Sequence, residues 1–150
     1  MGKAYFYGHG VATNKQEAVR WWLKAAEQGD AVAQRQLGAS YQHGVGVAKD
    51  PREAVRWFRK AAEQGDILAQ TLLAAAYAFG DGVIMDDREA YIWLSIAKAN
   101  GNELASEAFN KINWRARLTQ SEIRSAQKEA ARRLEEIDRR KEKHNEKFGL

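Results

Sequence analysis

The stretch LGASYQHGVGVAKDPREAVRWFRKAAEQG, residues 37–65, decides the fold, because its residue types recur 36 positions before and after it without a gap. Tyr5, Tyr41 and Tyr77 align, as do Gly8, Gly44 and Gly80, then Gly10, Gly46 and Gly82, each followed by Val11, Val47 or Val83. Further along, Glu17, Glu53 and Glu89 precede Ala18, Ala54 and Ala90. Trp21, Trp57 and Trp93, Ala25, Ala61 and Ala97, and Gly29, Gly65 and Gly101 complete each unit.

Each unit reads as two helices. Ala33, Leu37 and Tyr41 lie at i, i+4 and i+8, one stripe of a 3.6-residue period, and Ala69, Leu73 and Tyr77 repeat it. The paired glycines end this opening helix by entering left-handed backbone space. The second helix opens on Asp50-Pro51-Arg52-Glu53, where Asp50 caps, Pro51 suits the first helical position and Glu53 reaches back in a capping box. Asn14 with Glu17 and Asp86 with Glu89 are expected to do the same. Ala54, Trp57, Phe58 and Ala61 form the buried stripe, Gly65 ends it and Asp66 caps the next helix. The expected fold is all-α: a right-handed α/α superhelix of 36-residue hairpins, with Trp21, Trp57 and Trp93 filling the space between units.

Composition agrees with this. The chain has 150 residues, 45% of them apolar and 29% charged, with one proline and no cysteine, so one helical unit can form a core without disulfides or thiolate metal sites. No run approaches the roughly 20 apolar residues that span a bilayer, and Met1 to Gly8 is not a signal peptide. The chain reads as soluble and untargeted, which fits the cytoplasm, or the periplasm or exterior if an upstream signal has been lost.

The residues resemble the Sel-1-like repeats, bacterial relatives of the tetratricopeptide repeats. The resemblance rests on Leu37-Gly38, Tyr41, Gly44-Val45-Gly46-Val47, Ala54, Trp57-Phe58, Ala61-Ala62 and Gly65, and covers residues 1 to about 102. Ala90-Tyr91-Ile92-Trp93-Leu94 and Leu118 to Ile123 look like the ending of bacterial members. The resemblance implies a superhelix that binds other proteins as an adaptor or scaffold, and it implies no reaction.

Both ends depart from the pattern. Met1 aligns with Leu37, so the first unit lacks the front of its opening helix, as expected of a shortened N-terminus. Ala105 and Phe109 continue the stripe, but Ala116 and Leu118 stand where Gly80 and Gly82 would repeat, so a fourth unit is degenerate. Repeats are therefore expected over 1–118, followed over 119–150 by a capping helix and charged tail. Thr119 and Glu122 form a capping box, Leu118 and Ile123 a hydrophobic staple, and Ile123, Ala126, Ala130, Leu134 and Ile137 one stripe that closes the stack. Beyond Ile137 the turns are expected to fray or project.

Catalytic and cofactor chemistry find little to stand on. The Gly-x-Gly of Gly44 and Gly46 follows a helix, unlike a phosphate loop. Asp86 and Asp87 suit a helix start, His9, His43 and His144 lie far apart, and Ser40, Ser95, Ser106, Ser121 and Ser125 show no nucleophile motif. No enzyme, metal or cofactor is expected, although an unrecognised catalytic site remains a competing class. The residues left unexplained suit binding. Beside the core stripe, Gln36, Ser40 and His43 become Leu72, Ala76 and Phe79 one unit later, and Tyr7, His43 and Phe79 align as an aromatic ladder. This face is expected to be concave and to hold a protein or peptide. The alternative is the basic end: residues 111–150 carry 12 Lys and Arg against 7 Asp and Glu, whereas residues 1–110 carry 12 against 13. Arg132, Arg133, Arg139, Arg140 and Lys141 would there meet nucleic acid or an acidic partner. Glutamates four residues earlier, as in Glu129 before Arg133, favour an ordinary solvated face, so nucleic acid is the disfavoured partner.

Overall fold

The computed structural model describes residues 14–149. Eight helices and no strands occur among them: α1 Lys15–Glu27, α2 Ala31–His43, α3 Pro51–Glu63, α4 Ile67–Phe79, α5 Asp87–Ala99, α6 Glu103–Lys111, α7 Trp114–Arg117 and α8 Gln120–Phe148. Their N-caps fall where the sequence places them. Asn14, Asp50 and Asp86 accept from the backbone N–H groups of Glu17, Glu53 and Glu89, and Asp66 from that of Ala69. The reciprocal half of the expected capping boxes is replaced by ion pairs. Glu17 pairs with Arg20 at 3.2 Å, Glu53 with Arg56 at 3.0 Å and Glu89 with Arg133 at 2.8 Å, because a guanidinium offers a carboxylate more than one backbone N–H does. Only Thr119 and Glu122 complete the box.

Consecutive helices pack as antiparallel hairpins around Leu37 and Leu73, both fully buried, with Ala33, Ala69 and Ala105 on the same stripe. Small residues at these sites let helices approach. At Gly38 the approach is close: a Cβ there would stand 2.6 Å from the Phe58 ring. One unit later the same two places hold Ala74 and Leu94, so a methyl is gained where the large ring is lost and the cluster stays filled. Trp57 lies in one cluster with Trp22, Ala33 and Leu37, joining α3 to the preceding hairpin. Trp93 is equally buried, but Trp21 is 36% exposed. The expectation that all three fill inter-unit space is corrected at Trp21: no helix among the described residues precedes α1 to cover it.

The joint between units is made by backbone. Gly44 and Gly80 end α2 and α4 in left-handed conformation, and Gly46 and Gly82 follow with φ of 75° and 76°. A Cβ on Gly46 would lie 2.4 Å from the Lys15 carbonyl oxygen, and one on Gly82 would lie 2.2 Å from that of Pro51. Each loop thus rests on the first residue of the preceding unit's second helix.

Two buried glutamines secure the other edge. Gln34 Nε2 donates to the Ala26 carbonyl at 3.1 Å, and Gln64 Nε2 donates to Gln34 Oε1 at 2.7 Å. One unit on, Gln70 Nε2 donates to Ala62, but Asn100 occupies the place of Gln64 and is one methylene shorter. Gln70 Oε1 and Asn100 Nδ2 are consequently both buried without a partner.

The degenerate unit closes differently from the others. The rings of Tyr91, Phe109 and Trp114 meet with centroids 5.0 to 5.5 Å apart, and Trp114 Nε1 donates to the Phe109 carbonyl at 3.0 Å. The last helix then packs on α5 through Ala126, Ala130 and Ile137 and continues unbroken to Phe148. It does not fray after Ile137: Ile137 and Lys141 lie against Gly65, so the helix reaches back over the α3–α4 turn.

Two stability outcomes follow. Gly82→Ala should cost about 3 kcal/mol, combining left-handed strain with a backbone clash, whereas Gly101→Ala, with φ of 86° and nothing within 4 Å of the new Cβ, should cost about 1 kcal/mol. Asn100→Gln should restore the missing bond and add about 1 kcal/mol, read as a Tm rise of about 3 °C. Urea and thermal unfolding measure both; a neutral Gly82→Ala or an unstabilised Asn100→Gln contradicts them.

Candidate functional site

The faces of the opening helices next to the core stripe divide more sharply than residue type suggests. Ser40 and Ala76 are 3% and 5% exposed, so they are corrected from partner-facing to interior. Ser40 Oγ donates to the Gln36 carbonyl at 3.0 Å, which satisfies the hydroxyl within its own helix. Gln36 and Leu72 are half-buried, Leu72 against the core, while His43 is exposed and Phe79 is 84% exposed. Tyr7 lies outside the described residues.

What the sequence reading missed is a column one residue off the Ala33 stripe. Val32, Leu68 and Leu104 stand at the same place in three successive opening helices and are 44%, 46% and 65% exposed. Their common aliphatic character at one repeat position was the available signal. The helix that carries Leu68, α4, contains no ionisable group other than Tyr77, and the Arg35–Asp66 ion pair marks its start. Its far end carries Phe79, and the loop beyond adds exposed Ile84 and Met85.

The basic end is largely neutralised. Arg133 donates to Glu89 through both terminal nitrogens at 2.8 Å and to Glu129 through Nε at 2.8 Å, with its guanidinium 5.4 Å from the Trp93 ring centroid. Arg132 bridges Glu129 and Glu136, and Arg140 pairs with Glu136. Lys141 lies against Gly65, and Arg139 is exposed. Of the five cations singled out, three therefore have carboxylate partners. These pairs pull carboxyls down: the guanidinium bonds of Arg132 and Arg133 hold Glu129 at about 2. At Glu89, burial pushes upward, but the Arg133 bond and the charges of Arg133, Arg59 and Arg88 prevail and leave it lowered.

Polar groups considered for catalysis are engaged structurally. Asp86 caps α5, Asp87 pairs with Arg117 at 2.7 Å, and Ser95 and Ser106 donate to carbonyls of their own helices. No three His, Asp or Glu side chains converge as metal ligands among the described residues. No described helix is long and apolar enough to cross a membrane.

The 36-residue units, whose loops at Gly44 to Gly46 and Gly80 to Gly82 share one geometry, correspond to three matches of the Sel1 repeat model, at residues 1–30, 31–66 and 67–102. The chain belongs to the Sel1 repeat family. It is 41% identical to a Sel1 repeat protein from Oxalobacter formigenes, with a TM-score of 0.70, over 72% of this chain and 44% of that one. A protective antigen present in uropathogenic Escherichia coli strains, displaying an SLR fold, is 36% identical with a TM-score of 0.76, over 91% and 29%. Helicobacter pylori cysteine rich protein B is 26% identical with a TM-score of 0.62, over 71% and 87%. This Sel1 repeat chain thus spans less than half the length of the first two. No curated protein matches it.

Arg133→Met should destabilise the Sel1 repeat chain by about 2 kcal/mol at neutral pH, because Glu89 is left partly buried and unpaired. Both carboxyls titrate lower when folded, so their stabilisation is present above about pH 4.5 and is lost as pH falls through their folded values, which for Glu129 is about 2. The gap between variant and parent in urea unfolding should therefore narrow from pH 7 to about pH 3; a constant gap contradicts this role for the pair.

Proposed function

We propose that the chain is a non-catalytic module that binds a protein or peptide along its opening helices, on the concave side of the stack. Sel1 repeat proteins are generally protein-interaction scaffolds, which supports the class of function. The observation that carries the choice of surface is the exposed column of Val32, Leu68 and Leu104. Scaffold positions that are apolar in every unit are normally apolar because they are buried, and these three are not. Phe79 at the far end of α4 adds a large exposed ring, as a second anchor for a partner's apolar side chain. His43 and Gln36 make the preceding unit's face more polar, so a partner fits with its apolar part over α4 and α6 and its polar part over α2.

Affinity capture followed by mass spectrometry identifies the partner. The Leu68→Asp/Leu104→Asp double variant should then lose about tenfold or more in affinity while keeping the parent's circular dichroism spectrum. Phe79→Ala should lose several-fold. Undiminished capture by the folded double variant overturns the assignment of this surface.

A further inference from the structure

Three cations outside the five that the sequence singles out gather in one place without carboxylate partners. A groove of about 550 Å³ runs between the start of α5 and the first turns of α8. One wall is Arg88, and the other carries Ser121, Arg124, Ser125 and Lys128, with Glu129 and Arg132 at its end. Arg88 donates to Ser125 Oγ at 2.9 Å, a hydroxyl rather than a carboxylate. None of Arg88, Arg124 and Lys128 has a carboxylate oxygen within 4.0 Å among the described residues, although ten ion pairs form elsewhere among them.

The acids near the groove are already committed. Glu129 accepts from Arg132 and Arg133 through both oxygens, and Glu122 accepts from the Thr119 backbone within the capping box. Arg124 and Lys128 are exposed and stand one helical turn apart, while Arg88 faces them from a different helix. The lining thus carries four cations against the single carboxylate of Glu129, and an anion in the groove offsets their mutual repulsion.

We propose that this groove binds an acidic peptide segment, whose carboxylates pair with Arg88, Arg124 and Lys128 and whose backbone or polar side chains meet Ser121 and Ser125. From Ser121 to Arg132 the helix rises roughly 17 Å at 1.5 Å per residue, the length of about five extended residues. A nucleic-acid backbone fits less well. Past Arg132 the same helix presents Glu135, Glu136 and Asp138, which interrupt any track of cations that successive phosphates need. This site is separate from the column on the opening helices, so the two fail or succeed independently.

The test is fluorescence anisotropy with labelled pentaglutamate and, in parallel, a labelled thymidine oligonucleotide of similar length, using the full chain at low and high salt. Pentaglutamate should bind at low salt and weaken as salt rises. Arg124→Glu/Lys128→Glu should reduce its affinity about tenfold or more, Arg124→Gln/Lys128→Gln by less, and Arg139→Glu/Lys143→Glu should leave it within about twofold. Circular dichroism establishes that each variant folds, and the glutamine pair serves if the glutamate pair does not. No pentaglutamate binding at low salt, equal loss in the Arg139/Lys143 variant, or tighter binding of the oligonucleotide overturns the proposal.

Discussion

Two successive joints between units depend on one kind of contact between two backbones. Gly46 rests on the carbonyl of Lys15, and Gly82 on that of Pro51, at distances no side chain tolerates. The loop that makes this contact also orients both helices of its unit, since the Asp50 N–H donates to the Tyr41 carbonyl and that of Asp86 to Tyr77. Fixing the loop to the previous unit therefore fixes the next hairpin as a body. Hydrophobic burial supplies most of the stabilisation between hairpins, but burial is not directional, and the glycine contact selects one packing from those that burial permits.

Within that frame, each unit solves the same packing problem with different residues. Phe58 against Gly38 is one solution, and Leu94 with Ala74 is another. Some substitutions are matched in this way, and some are not. Gln64 reaches Gln34, whereas Asn100 falls short of Gln70. Arg35 pairs with Asp66 at 3.0 Å, but Thr71 and Asn102 hold the equivalent places and form no ion pair. The units are alike in backbone and unequal in how they are held together, and their exposed faces differ along the stack for the same reason.

The last helix shows how far charge counting departs from charge placement. A surplus of cations in residues 111–150 is real, yet Glu89 reaches Arg133 from 44 positions away and Glu129 and Glu136 each serve two arginines. Pairing on this scale fastens α8 to α5 and passes over Arg124 and Lys128 in the first turns of the helix. Arg132 and Arg133 look more basic in the sequence than they are in the fold, and Arg124 and Lys128 look less so.

The sequence by itself determined the repeat, its period, the helix caps and the core stripe, because each follows from rules acting within a few residues: helical periodicity, the hydrogen-bonding needs of helix ends and the φ freedom of glycine. It also marked the end of the regular units, since Ala116 and Leu118 interrupt the glycine pattern. Only the tertiary structure decided which residues beside the stripe meet solvent. Ser40 and Ala76 turn inward while Val32, Leu68 and Leu104, just as close to the stripe, turn outward. A 3.6-residue period sets the angle between side chains on one helix, but the helices that pack against it decide which of those angles is covered. That packing, like the reach of α8 across Gly65, joins residues tens of positions apart, where no local rule acts.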